Sequence, residues 1–446
     1  MCIRINLPAA VKEIISVLEC NGFVAFVVGG CVRDSILGRP THDWDICTSA
    51  TPNELIRVFD GYNCMKVGLQ FGTLSARIRE EIFEVTTFRS DGDYSDGRHP
   101  DSVALAESLE EDLQKRDFTI NAMAYSDKEG LVDVVGGLQD LQDGVIRCVG
   151  NAEKRFQEDA LRVLRAIRFA TVLNFCIDQS VRDAIHSKYT RLRNVSIERV
   201  NSEFCKMIVC PNFGNMLREY SSIFSFCIPE LNSMIGFDQN NKYHIYDLFE
   251  HTLCALENCE SNDLVLRLAV FFHDFGKPYS YQDGEDGYRH FKGHGKVGAS
   301  IVDGIMQRFR FDSSVQKKVV ELVFYHDAEI AVGKKFAKRW LNRIGLEQFQ
   351  KLLALKKADS KAHATNCVQR KLECLQAVED CLQEVLCEQE CFTLKDLAVN
   401  GKDLIGIGFK QGRTIGITLD SLLQKVINGE IENERSVLLS EAKGYK

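Results

Sequence analysis

Asp43 and Asp45, one residue apart in the segment HDWDI, are the first side chains in this sequence whose types and spacing could do chemistry. Successive side chains of a strand point to opposite faces, so a strand over DWDIC would project both carboxylates to one side. Two close carboxylates repel one another unless a cation lies between them. Glu84, on a neighbouring run that reads as a strand, is the candidate third acid, and such an oxygen-only set suits Mg²⁺. Two such ions, roughly 3.5–4 Å apart, can lower the pKa of an attacking 3′-hydroxyl and neutralise a leaving pyrophosphate. Upstream, Gly29 and Gly30 let the backbone approach a phosphate closely, and the N–H groups opening the next helix favour the same anion. Arg33 is placed to add a bidentate phosphate contact.

These residues need elements to hold them. From Phe23 to Asp45 a short apolar run (FVAFVV), a Gly-Gly turn, a helix-like stretch and a second short run (DWDIC) predict strand, turn, helix, strand. Gly72 to Ile78 and Ile82 to Phe88 are rich in β-branched and aromatic residues around a charged turn and predict two more strands. One small mixed sheet would hold all four. Ser90 to Asp101 (SDGDYSDGRHPD) is polar and Gly-rich, and predicts a loop. Beyond Asn151, segments such as AEKRFQEDALRVLRAIRFATVL carry apolar residues at i, i+3, i+4 and i+7, so the remainder reads as mainly helical. The fold class expected is α+β, a small mixed β-sheet head followed by all-α segments.

The segment GGCVRD…HDWDI resembles the first motif of the polymerase-β nucleotidyltransferases, specifically the bacterial CCA-adding enzymes and their poly(A) polymerase relatives. The likeness continues in the family's order through EVTTFRSDGDYSDGRHP, KRDFTINAMA, DVVGGLQDLQDGVIRCVG, EDALRVLRAIRFA and SIERVNSEF, from about Phe23 to Phe204. Two positions depart from it: Lys115 replaces the first of two usual arginines, and Val134 stands where the family has proline. The resemblance implies addition of C, C and A to the acceptor end of tRNA from CTP and ATP, with Mg²⁺ at Asp43 and Asp45; Glu84 is the candidate third catalytic acid.

Cytosine and adenine both present an amino donor beside a ring acceptor, so an acceptor next to a donor on the protein selects them. Asp159 and Arg162, three apart on one expected helix, supply that pair and match the family's base-reading residues. By the same resemblance, Arg165 and Arg168 continue the nucleotide contacts, Arg116 meets the triphosphate, and Asp117 and Asn121 meet the ribose. The loop DGDYSDGRHP resembles the flexible loop of enzymes that add all three nucleotides. Relatives that add only CC or only A, or that make poly(A), are the alternatives.

Seven of the ten histidines lie from His244 to His363. HDFGKP, starting at His273, with His251 before it and Asp359 after it, resembles the metal pattern of HD-type phosphohydrolases. The resemblance implies a transition metal on His251, His273, Asp274 and Asp359, with His294 and His326 serving a second ion or binding phosphate. The competing reading is a degenerate domain kept as a helical scaffold.

Bulk properties set the frame. With 446 residues and 45% hydrophobic composition the chain exceeds one ordinary domain. The division expected is a catalytic head over 1–150, a helical neck over 151–215, a helical body with the HD segment over 216–365, and a tRNA-binding tail over 366–446. A net charge of −8 argues against coating nucleic acid by global charge, so RNA affinity would rest on local patches such as KKFAKR, Lys334 to Arg339. The seventeen cysteines form no C-x-x-C pair and read as reduced thiols; Cys367, Cys374 and Cys381, seven apart, suggest a helix core stripe. No segment offers the apolar length of a membrane span, and the expected location is cytoplasmic, away from any membrane. Protein partners are not indicated. Two readings of other classes compete: an HD hydrolase with a nucleotide-binding regulatory head, and a non-catalytic RNA-binding protein.

Overall fold

The computed structural model describes residues 3–41, 43–65, 72–91, 103–241, 245–363 and 365–445. The chain divides into two compact units, Met1–Asn212 and Phe213–Lys446. The expected head and neck therefore fall within one unit, apart from residues 213–215.

In the first unit the strands are β1 (Ala25–Val28), β2 (Ile46–Thr48), β3 (Asn63–Met65), β4 (Thr73–Ile78), β5 (Glu81–Thr87), β6 (Arg89–Asp91), β7 (Val103–Leu105), β8 (Met123–Ser126), β9 (Gly130–Asp133), and β10 (Val145–Ile146) and β11 (Cys176–Ile177), which pair in parallel with each other. Seven of them form one sheet in the order β3-β4-β5-β2-β1-β8-β9. It is mixed: β2 runs parallel to β5, while β1 is antiparallel to both β2 and β8. The β4–β5 turn is Arg79-Glu80, with φ of 50° and 73°. Positive φ at both positions matches the right-handed twist of the flanking strands. The short runs MAYS and GLVD, β8 and β9, complete the sheet's other edge and were not distinguished in the sequence. Of the expected loop, Ser90 and Asp91 belong to β6, which pairs with β7; positions 92–101 lie outside the described residues.

The helices of this unit are α1 (Ala9–Cys20), α2 (Gly30–Ile36), α3 (Pro52–Val58), α4 (Leu109–Lys115), α5 (Gly137–Asp143), α6 (Ala152–Glu158), α7 (Arg162–Leu173), α8 (Gln179–Lys188) and α9 (Ile197–Ile208). Leu109 and Leu113 of α4 pack with Phe26, Val28, Cys47 and Ala124 of the sheet and with Phe88. That apolar contact fixes the segment leading into Arg116 and Asp117 against β1, β2 and β8.

The second unit is helical: α10 (Phe213–Glu219), α11 (Ser221–Cys227), α12 (Leu248–Glu257), α13 (Leu264–Phe272), α14 (His294–Arg308), α15 (Ser313–Tyr325), α16 (Lys334–Lys361), α17 (Thr365–Cys387), α18 (Gly401–Gly406), α19 (Arg413–Ile427) and α20 (Arg435–Ala442). A short strand pair, Gln282–Asp283 with Arg289–His290, interrupts it. α16 is kinked at Gly345, whose φ of 78° and ψ of 169° are non-helical. The expected cysteine stripe on α17 is not its core, because Cys374 is exposed; Leu375, Val378, Leu382 and Val385 are the buried residues. Every described cysteine is a free thiol. Among the described residues no helix is long and apolar enough to cross a membrane.

One glycine locks α5 to the turn below it. A Cβ on Gly137 would lie 2.1 Å from the Thr119 carbonyl oxygen, in the short helix Thr119–Asn121 that carries Asn121. Gly137→Ala is expected to lower unfolding stability by about 1–3 kcal/mol or more, measured by denaturant titration, with Asn121 and its neighbours displaced. Unchanged stability would mean that α5 rides free of the turn.

Candidate active site and candidate metal centre

The sheet brings the three acids together, although not as the sequence reading had it. β2 begins at Ile46, so Asp43-Trp44-Asp45 leads into the strand rather than forming part of it. Alternation persists there, with Asp43 and Asp45 exposed and Trp44 partly covered. The segment is held because Val28 N–H donates to the Asp45 carbonyl at 3.0 Å. Parallel pairing of Ile46 with Val85 continues back to place Asp45 alongside Glu84. Glu84 is exposed between the buried Phe83 and Val85, on the solvent face of β5. Asp45 reaches solvent, yet its pKa is raised: the protein bulk around its base is the largest cause, Arg116 pulls it down, and Glu84 and Asp43 push it up. Three carboxylates therefore share one electrostatic environment.

Gly29 takes φ 83° and ψ −131°, and a Cβ there would sit 3.3 Å from Arg116 Nη1. Only glycine fits this turn beside the arginine without strain. Gly30 opens α2, with its Cβ position 3.6 Å from Arg33 Nη2. Arg33 does not present a free fork: its Nε and Nη2 donate to Asp34 at 2.9 and 2.8 Å, and its Nη1 donates to Asn121 Oδ1 at 2.5 Å. Arg116 donates to Asp112 Oδ2 at 3.0 and 3.2 Å while lying within electrostatic reach of Asp45. Asp117 is occupied on both oxygens, accepting from Phe118 N at 2.8 Å and from Arg165 at 2.7 Å. Burial pushes the Asp117 carboxyl up, but Arg165 and Arg162 hold it below its usual range. These contacts suit Asp117 and Asn121 to orienting Arg165 and Arg33.

Asp159 and Arg162 do not share a helix. α6 ends at Glu158, Asp159 has the extended φ −140° and ψ 109°, and α7 starts at Arg162. Across this break Asp159 Oδ1 accepts from Leu161 N at 3.0 Å and Oδ2 accepts from Arg199 Nη2 at 2.7 Å. Arg162 Nη1 donates to Glu158 Oε2 at 2.7 Å, and Arg155 Nη1 reaches the same oxygen at 2.9 Å. Arg168 Nε donates to Glu203 Oε2 at 2.5 Å. Phe169, buried, gathers three guanidinium groups at 5.2 Å (Arg33), 5.4 Å (Arg165) and 3.8 Å (Arg168) from its ring centre. Cation–π attraction and ion pairing together preset the arginines.

Sequence reasoning missed the acids and the arginine that hold this row: Glu158, Arg199 and Glu203, together with Phe169. The signal available was the i, i+4 spacing of Arg199 and Glu203 in SIERVNSEF, which places both on one side of α9.

In the second unit, four imidazoles and an aspartate meet without solvent: His251, His273, Asp274, His294 and His326 are each at most 6% exposed. His251 Nε2 lies 2.9 Å from Asp359 Oδ1, so Asp359 joins the group as its half-covered edge. His251, His273 and Asp274 have ligand atoms close enough to hold one ion, as do Asp274, His294 and His326. Burial would lower the His273 pKa, but Asp274 and Asp359 raise it to about 10. Two of the four cations of the expected basic patch are neutralised, Lys334 by Glu388 at 2.7 Å and Lys338 by Glu390 at 2.6 Å, while Lys335 and Arg339 are exposed.

Residues 25–147 match the Poly A polymerase head domain family. Residues 174–235 match an RNA- and SrmB-binding region of polymerase A, and residues 297–442 match tRNA nucleotidyltransferase domain 2. The CCA-adding enzyme of Ligilactobacillus salivarius is 30% identical over 98% of this chain and 97% of its own length. This chain belongs to the CCA-adding enzyme family. The family's member from Enterococcus faecalis gives the same identity over 98% and 97%. The Bacillus stearothermophilus CCA-adding enzyme, solved in complex with CTP, superposes with a TM-score of 0.68 at 27% identity, covering 98% of this chain and 96% of that one. The Thermotoga maritima CCA-adding enzyme complexed with tRNA, at 19% identity and TM-score 0.60, shares the fold. As a CCA-adding enzyme the chain is a nucleotidyltransferase, a class that works with divalent metal.

Removing Glu203 would leave Arg168 mostly buried and without its ion-pair partner. Glu203→Ala is expected to cost about 3 kcal/mol of stability, read by denaturant unfolding, and Glu203→Gln less. A loss under about 0.5 kcal/mol would show that the pair is screened like a surface one.

Proposed function

We propose that this CCA-adding enzyme completes the whole sequence, adding C, C and A in turn to the 3′ end of tRNA from CTP and ATP, with Mg²⁺ held by Asp43, Asp45 and Glu84. The observation that carries the metal assignment is that the charges of Glu84 and Asp43 both act on Asp45, which directly precedes the Ile46–Val85 parallel pair. An all-carboxylate set in which Glu84 and Asp43 push up the pKa of Asp45 fits a hard divalent cation. Bound there, such ions would acidify the 3′-hydroxyl and neutralise pyrophosphate charge. The chain's own groups do the rest. Arg116, between Asp112 and the acids, faces the triphosphate, and the Gly29 turn leaves room beside it for phosphate oxygens. Arg33, Arg165 and Arg168, set by Asp34, Asp117, Glu203 and Phe169, form a row that binds and orients the nucleotide.

In the base-reading role, Asp159 accepts from the exocyclic amino group shared by cytosine and adenine while Arg162 donates to the ring acceptor. Both are satisfied within the chain, by Arg199 and Glu158. Binding a base would thus exchange one set of charge-assisted hydrogen bonds for another, and a base of the wrong polarity would leave both ions unpaired. Asp159→Ala is expected to reduce the preference for CTP and ATP over UTP and GTP by tenfold or more, about 1–3 kcal/mol, in single-nucleotide extension assays. Retained selectivity would assign base reading elsewhere.

The C-terminal unit supports a second reading, a divalent transition-metal site on His251, His273, Asp274 and Asp359 with phosphohydrolase-type chemistry. The location consistent with both readings, and with the free thiols, is the cytoplasm.

The decisive assay supplies Mg²⁺, tRNA transcripts ending before CCA, after C and after CC, and nucleoside triphosphates singly and together, followed by 3′-end sequencing. Products ending in CCA, lost in Asp43→Ala, are expected. CC-only or A-only products would make this a partial-addition enzyme, and long A tails a poly(A) polymerase. Absence of extension together with phosphohydrolysis untouched by Asp43→Ala would make the head a regulator.

A further inference from the structure

Arg155 joins the two ends of the nucleotide site. It occupies the last turn of α6, and its side chain is 12% exposed. Its guanidinium donates from all three nitrogens, to acceptors in three places. Nε donates to the Val149 carbonyl at 3.0 Å, Nη1 to Glu158 Oε2 at 2.9 Å, and Nη2 to the Gln114 carbonyl at 2.5 Å.

One of these contacts leads to the base-reading end. Glu158 Oε2 also accepts from Arg162 Nη1 at 2.7 Å, and the Arg155 carbonyl accepts from the same nitrogen at 3.1 Å. Arg155 therefore holds Arg162 twice, through Glu158 and through its own backbone. Burial pushes the Glu158 carboxyl up, but Arg155 and Arg162 hold it below its usual range, so the bridge stays charged.

The other two contacts lead to the phosphate end. Gln114 lies in the last turn of α4, whose carbonyls have no partner inside the helix. A guanidinium placed there meets the negative end of the helix dipole. Val149, the second anchor, donates its N–H to the Asp117 carbonyl at 3.1 Å. The two anchors thus bracket Arg116, one at Gln114 and the other through Asp117. Arg116 is the group within electrostatic reach of Asp45.

We propose that Arg155 is a positioning residue that fixes the base-reading Arg162 relative to the triphosphate-facing Arg116, so that a correctly read base and an aligned α-phosphate are held together. This rests on the base-reading role given above to Asp159 and Arg162. Arg155 acts through Arg162 on one side and through the α4 terminus on the other. A planar fork with a donor on every nitrogen serves all three acceptors at once, whereas an ammonium on a flexible stem keeps the charge and meets fewer of them. Loss of the tie leaves the phosphate contacts in place and lets Arg162 shift against them. What disappears is the stabilisation made only when base and phosphate are aligned together.

The test measures single-nucleotide addition by full-length Arg155→Lys, with Asp159→Ala alongside, on tRNA transcripts ending before CCA and after CC, using CTP, UTP, ATP and GTP in turn. In Arg155→Lys, kcat/KM for CTP and ATP is expected to fall about 10–100-fold, chiefly through kcat, while addition of UTP and GTP changes less. Glu158→Gln cuts the same tie at its base end and is expected to give the same pattern, with the double variant little worse than either single one. Unfolding profiles are checked for each. An equal fall for all four nucleotides, a fall carried by KM alone, or additive losses in the double variant would make Arg155 a structural tie and overturn the proposal. Selectivity lost in Asp159→Ala but intact in Arg155→Lys would overturn this proposal alone. Selectivity intact in both would overturn the base-reading assignment as well.

Discussion

Repulsion among Asp43, Asp45 and Glu84 is the constraint around which the N-terminal unit is organised. Carboxylates gathered on one side of a sheet destabilise the metal-free state, and the structure tolerates them by exposing all three and keeping Arg116 within electrostatic reach of Asp45. Among the described residues the sheet has one parallel pairing, β2 with β5, whose Ile46–Val85 pair directly follows Asp45 and Glu84, the second and third acids. The remaining strands support that contact. β1 anchors Asp45 through its backbone, and β8 anchors the Gly29 turn through the Met123 carbonyl at 3.2 Å.

The arginines answer the same electrostatic problem from the other side. A row of guanidinium groups would repel itself, so each is matched by an acid: Arg33 with Asp34, Arg116 with Asp112, Arg162 with Glu158, Arg165 with Asp117 and Arg168 with Glu203. Phe169 contributes a ring face between three of them. Such a row is preorganised, which reduces the conformational entropy lost on binding a charged ligand. The overall acidity of the chain is therefore compatible with anion binding, because the positive groups are local and fixed rather than diffuse.

The acids were legible because residue type and spacing carry them: D-x-D in an extended segment and an acid on a β-rich run need no long-range knowledge. The helix break at Asp159 was not. Phe156, Ala160, Leu161, Val163 and Leu164 are all buried, so the apolar pattern runs through the break with neither Pro nor Gly to mark it. The Arg199–Asp159 pair joins residues forty positions apart, a separation that local pattern does not report. The sequence does not show that half the charge of KKFAKR is neutralised, because the acidic partners of Lys334 and Lys338, Glu388 and Glu390, come from another segment. In the C-terminal unit the histidines could be counted from sequence. Their convergence from α12 to α16 belongs to packing.

The central claim is that Asp43, Asp45 and Glu84 form one cation site, and anomalous diffraction from crystals grown with CTP and Mn²⁺ tests it most directly. The account predicts manganese peaks in contact with oxygens of all three side chains and of the triphosphate. Manganese bound through phosphate alone, or with Glu84 turned away from every peak, would contradict it.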